Sequence, residues 1–154
     1  HEILIKNNLS LSIAESCTGG ALSQLITSVS GASKYFVGSI IPYDYQQKIN
    51  ILKVNKETIE SKTVVSEEVA REMSLGTMNL FKTDIALSTT GVAGPNSDEF
   101  NNEIGTVYYS VRLKNQEQTF KLYLPHLERI DFQKFVAQKV LQDLITMLIA
   151  NPLN

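Results

Sequence analysis

Cysteine and histidine are nearly missing from this chain, and each scarcity removes a class of chemistry. A single thiol, Cys17, excludes an internal disulfide and any multi-cysteine metal site. With His1 and His126 as the only histidines, neither a histidine-based triad nor a zinc centre is expected, and no metal is assigned. No apolar run approaches the roughly 18 residues that cross a bilayer, and no basic helix suggests a membrane surface. The chain opens at His1 without a basic leader or cleavage signal, so no secretory peptide is expected. Fourteen Lys and Arg against 16 Asp and Glu give a net charge of −2, which offers nucleic acid no electrostatic footprint. What is present is ordinary for a globular protein: 43% hydrophobic and 19% charged residues. The 154 residues suit one domain, 1–154, with a continuous core, and the expected location is cytoplasmic.

The pattern along the chain alternates. "EILIKNN" has apolar residues at helical spacing and stops at Asn7-Asn8, while "LSLSIA" alternates as a strand does. "GGALSQLITSVS" reads as a helix with Leu22, Leu25, Ile26 and Val29 on one face and Gly31 as terminator. "SKYFVGSIIPYDY" reads as a strand whose Pro42 favours its end or an edge, and "QQKINILKV" as a short helix. Ser66 should cap a longer helix, "EEVAREMSLGTMNLF", with Glu67 and Glu68 in the first turn, where the helix dipole favours acids. "DIALSTTG" is a strand entering the loop "GVAGPNSDEFNNEIG". "TVYYSVRL" and "QTFKLYL", joined by Lys114-Asn115-Gln116-Glu117, predict an antiparallel hairpin before the helix "RIDFQKFVAQKVLQDLITMLI". Alternating helices and strands with a late hairpin predict an α/β sandwich on a mostly parallel, mixed sheet.

Three polar clusters fall at expected strand ends or loops, where open α/β sheets gather ligands: Ser16–Gly20, Tyr43–Lys48 and Thr90–Pro95. Each has a plain reading beside the chemical one. Ser16 or Thr18 could cap the next helix, or Ser16 could be a nucleophile on a tight turn. Lys48 could be a solvated charge, and Thr90-Gly91 with Ala93-Gly94-Pro95 a simple turn or an anion cradle. Cys17 is a rival nucleophile, but with no histidine nearby it reads better as a small packing residue.

The stretches "AESCTGG", Y-x4-K, "VSEEVA", "TTGVAGP" and "GTVY", in this order from about Ser10 to Leu144, resemble the C-terminal domain of the CinA (competence/damage-inducible protein) family. That family includes the PncC-type nicotinamide mononucleotide amidohydrolases. The resemblance implies a three-layer α/β/α fold and deamidation of nicotinamide mononucleotide to nicotinic acid mononucleotide and ammonia, in pyridine nucleotide salvage. It implies Ser16 as nucleophile, Tyr43 and Lys48 as its catalytic partners, and Thr90 as a further site residue. Ser-Lys pairs are known variants of triad logic, and Lys48 qualifies as base once burial or neighbouring charge lowers its pKa. Tyr43 would hydrogen-bond to the pair. Backbone N–H groups around Cys17, Thr18, Gly19 and Gly20 would hold the oxyanion. Glu15 suits a structural hydrogen-bonding role. Arg129 and the Gly91–Gly94 loop are the candidates for the substrate's phosphate.

Three departures stand out from the resemblance. Asn96-Ser97 replace a glycine pair, which should stiffen the loop. Asp44 adds a charge beside Lys48. Gln133 replaces the second of two arginines four apart, so a phosphate or structural contact would be missing. The expected partner is a small nucleotide, without cofactor, nucleic acid or membrane; a homo-oligomer is left open. The alternative is a catalytically silent nucleotide-binding or regulatory module of a CinA-like protein.

Overall fold

The computed structural model describes residues 1–151. Its elements run α1 (Glu2–Lys6), β1 (Leu11–Ala14), α2 (Ala21–Thr27), a 3-10 turn (Ala32–Lys34), β2 (Phe36–Ile40), α3 (Tyr45–Asn50) and α4 (Lys56–Lys62). Then follow α5 (Glu67–Phe81), β3 (Ile85–Gly91), β4 (Thr106–Leu113), β5 (Gln116–Tyr123) and α6 (Arg129–Ala150). The strands make one five-stranded sheet in the order β2-β1-β3-β4-β5. β1 pairs parallel with β2 and β3, whereas β4 pairs antiparallel with β3 and β5. Only β4 opposes the common direction, so the sheet is mixed, with helices on both sides.

Strand alternation sorts the two faces. Leu11, Ile13, Ile85, Leu87, Val107, Tyr109 and Val111 meet Leu22 and Ile26 of α2 and Phe132, Val136 and Val140 of α6 in the larger core. The face under α5 is lined by small and polar side chains. Ala14 packs with Val69 and Met73, the Ser88 hydroxyl donates to the Ala70 carbonyl at 2.6 Å, and the Ser74 and Ser110 hydroxyls meet at 2.9 Å. Each of these hydroxyls has a partner, so its desolvation is offset.

Local chemistry explains where elements end. Ser66 accepts from the Val69 amide at 3.3 Å and starts α5 where its cap is expected. α2 stops at Thr27, short of the expected Ser30, as the Thr27 and Ser28 hydroxyls bond back to carbonyls of the preceding turn. The expected strand at 33–45 is confined to Phe36–Ile40: a 3-10 turn takes its start, and Asp44, accepting from the Gln46 amide at 2.7 Å, caps α3 after it. β2 lies at the sheet edge with Pro42 just beyond it. The hairpin turn shrinks to Lys114-Asn115, because Gln116 already pairs with Leu113. No sequence pattern pointed to α4. Its only buried residue is Ile59, and it is held by the Asn55 cap and by Glu72 of α5, which accepts from the Asn55 amide at 2.6 Å and the Thr58 hydroxyl at 2.7 Å.

Candidate active site

The carboxyl end of β1 delivers Glu15 and Ser16 to a turn, and α3 brings Lys48 against it from the other side. Lys48 Nζ lies 3.1 Å from Ser16 Oγ, 2.8 Å from the Pro42 carbonyl and 3.2 Å from the Tyr43 carbonyl. These three acceptors satisfy the three protons of an ammonium. A neutral amine can keep the two carbonyls and turn its lone pair to the Ser16 hydroxyl proton. Lys48 is only 2% exposed and Ser16 8%. Burial pushes the Lys48 pKa down to about 8, against an opposing pull from the Asp44 carboxylate. A Cys17 thiolate would also raise Lys48, but burial pushes the thiol itself up to about 12, so near neutral pH it carries no charge.

Neither Ser16 nor Thr18 caps α2. That work falls to Glu15, fully buried, whose carboxylate accepts from the Gly20, Leu22 and Ser23 amides at 3.1, 3.0 and 2.8 Å and from the Ser23 hydroxyl at 2.5 Å. Of the amides expected to hold an oxyanion, that of Gly19 is taken by the Ser16 carbonyl at 3.0 Å and that of Gly20 by Glu15. The Cys17 and Thr18 amides have no acceptor among the described residues. The Thr18 hydroxyl turns inward to Thr89 at 2.8 Å.

The Tyr43 hydroxyl, expected on the Ser16–Lys48 pair, accepts instead from Arg129 Nη2 at 2.8 Å; only its carbonyl reaches Lys48. The reason is geometric. The backbone turn after β2 is what faces Lys48, which leaves the phenol outside, and Tyr43 is 59% exposed. Arg129, at the start of α6, also donates Nη1 to the Gly94 carbonyl at 2.7 Å, so one guanidinium ties three chain segments at the rim. Thr90 donates its proton to the Val64 carbonyl at 2.6 Å, so toward a ligand it can only accept. Gly91 closes against β4, where a Cβ would lie 2.6 Å from the Thr106 carbonyl. Gln133 retains a structural contact, donating to the Cys17 carbonyl at 3.1 Å. The loop at 92–105 is held by Asp98, which accepts from the Phe100 and Asn102 amides.

These groups surround a cleft of about 390 Å³ lined by Ser16, Tyr43, Lys48, Thr90, Gly94 and Arg129 among others, a volume within the range of small-ligand sites. Nothing in the sequence sets Thr89 apart. Thr90 stands beside it in the same motif, but strand alternation sends the two hydroxyls to opposite faces of β3, and Thr89 lies beneath the turn that carries Ser16. Among the described residues no helix is long and apolar enough to cross a membrane.

A model of the CinA C-terminal domain family matches residues 1–148. A CinA-like protein of Flavobacterium psychrophilum is 46% identical over 110 residues, covering 71% of this chain and 26% of that protein. The Mycoplasma pneumoniae protein named "Protein MG115 homolog" is 37% identical over 141 residues, covering 92% of this chain and 89% of its own length. The chain thus spans about a quarter of the Flavobacterium relative and nearly all of the Mycoplasma one. Among solved structures, a CinA superfamily protein from Klebsiella pneumoniae superposes with a TM-score of 0.93 at 27% identity, over 97% of this chain and 93% of that one. One from Escherichia coli gives 0.91 at 28% identity, over 96% and 85%.

Proposed function

This chain belongs to the CinA family through its C-terminal domain, and on that premise we propose that it is an amidohydrolase converting nicotinamide mononucleotide to nicotinic acid mononucleotide and ammonia. One observation carries the reading: a buried amine with a pKa near 8 lies 3.1 Å from the hydroxyl of Ser16, at the wall of a cleft. In the proposed reaction the neutral Lys48 takes the Ser16 proton as Oγ attacks the amide carbon. The open Cys17 and Thr18 amides, beside the nucleophile, are the donors available for the oxyanion. Collapse of the tetrahedral species breaks the C–N bond, and the Lys48 ammonium returns its proton to the leaving nitrogen as ammonia departs. Water then attacks the acyl-serine with Lys48 as base, releasing the carboxylate and restoring Ser16. Throughout, the Pro42 and Tyr43 carbonyls keep the amine aimed. Arg129, with guanidinium N–H groups beyond the two already engaged, is the cation available at the rim for the phosphate.

The test is ammonia release from nicotinamide mononucleotide beside nicotinamide and NAD, with the acid product identified by mass. Stoichiometric ammonia and nicotinic acid mononucleotide are expected. Binding of the mononucleotide without any ammonia would overturn the enzyme reading in favour of a silent nucleotide-binding module.

A further inference from the structure

We propose that Thr89 is the positioning residue of the nucleophile turn, its hydroxyl holding Ser16 where Lys48 can take its proton; this rests on the amidohydrolase reading above. Thr89 is fully buried on β3, one residue beyond the last β1–β3 pair, Ala14 with Ser88. Its oxygen accepts the Ser16 amide at 3.3 Å and meets the Thr18 hydroxyl at 2.8 Å. A threonine hydroxyl has two acceptor sites and one proton. It can therefore take the Ser16 amide and the Thr18 hydroxyl together, so one side chain holds two residues of the turn. None of these contacts touches Lys48, whose partners are Ser16 and the carbonyls of Pro42 and Tyr43.

The two halves of the pair are therefore placed independently. The backbone after β2 aims Lys48, and β3 aims Ser16 through Thr89. Without the Thr89 hydroxyl the Ser16 amide loses its acceptor and the turn its anchor. A shift of about 1 Å at a reacting group costs up to about a hundredfold in rate.

Thr89→Val removes the hydroxyl and keeps the shape, whereas Thr89→Ser keeps the hydroxyl. Two readouts separate this proposal from the substrate assignment: the rate at which a fluorophosphonate modifies Ser16, located by peptide mass mapping, and steady-state turnover of nicotinamide mononucleotide. In Thr89→Val we expect labelling and kcat each to fall by about tenfold or more, with KM within about twofold of wild type and the Lys48 pH limb in place. Thr89→Ser should recover most of both. Equal labelling of wild type and Thr89→Val, or a serine variant as slow as the valine one, would overturn the proposal. If Thr89→Val does not fold, Thr89→Ala takes its place. Failure of both to fold while Thr89→Ser folds would assign the hydroxyl to stability alone and overturn the positioning role. Wild type labelled at Ser16 that releases no ammonia overturns the substrate reading but not the role of Thr89. Wild type that is not labelled at Ser16 overturns both.

Discussion

Lys48 carries the sharpest expectations at the scale of single residues. Its amine is buried with acceptors for either protonation state, and burial has moved its pKa from 10.5 to about 8. Turnover should rise with pH along a limb centred near that value, on the side where the ammonium loses its proton, and level off above it. Lys48→Arg keeps a cation but supplies no neutral base, so kcat should fall at least about a hundredfold and the limb should vanish. An arginine variant with appreciable activity would leave lysine an electrostatic role only. The same shift makes a stability statement. Between about 8 and 10.5 the unfolded chain binds the Lys48 proton and the folded one does not, so the contribution of Lys48 to folding stability rises with pH across that window. The rise is worth roughly 3 kcal/mol. Urea unfolding on either side of the window should show it as a difference between wild type and Lys48→Met, which lacks it.

Among elements, α5 shows how packing overrides propensity. Gly76 sits inside this helix, where Gly→Ala ordinarily gains about 0.5–1 kcal/mol. Here an added Cβ would stand 2.0 Å from the Leu52 carbonyl oxygen, in the segment between α3 and α4. That contact is with backbone, so no side-chain rotation relieves it. Gly76→Ala should destabilise the protein by about 1–3 kcal/mol, read as a lower urea midpoint at unchanged slope. Because Leu52 follows α3 directly, and α3 carries Lys48, the variant should also slow Ser16 labelling. A more stable Gly76→Ala protein would mean that α5 and the 51–55 segment do not meet so closely.

For the molecule as a whole, the cleft is assembled from segments far apart in the chain, and Arg129 bonds to two of them, at Tyr43 and Gly94. A ligand spanning these segments should stabilise the fold in proportion to its occupancy. In Ser16→Ala, which lacks the proposed nucleophile, saturating nicotinamide mononucleotide should raise Tm by several degrees, whereas free nicotinamide, without a phosphate, should raise it less. Arg129→Ala should abolish most of the difference between the two ligands. Equal shifts from both ligands in Ser16→Ala would remove Arg129 from phosphate recognition. Cys17→Ala should leave turnover nearly unchanged, since the thiol stays protonated at working pH.

Much of this was written in neighbouring residues. The Ser66 cap and acidic first turn marked α5, alternation marked β1, and β-branched and aromatic runs about a short turn marked the β4–β5 hairpin. Such features depend on groups a few positions apart, whose geometry the backbone sets once it is helical or extended. Tertiary structure decided the rest. The Tyr43 phenol goes to Arg129, 86 residues away, Lys48 reaches Ser16 across 32 residues, and Thr89 meets Ser16 across 73. The last of these depends on sheet register. Pairing Ala14 with Ser88 brings Thr89 beneath Ser16, whereas a slip of one residue would reverse which face each side chain occupies. No local propensity specifies that register; it is set by burying Ile13 and Leu87 in one core while Ala14 and Ser88 lie under α5.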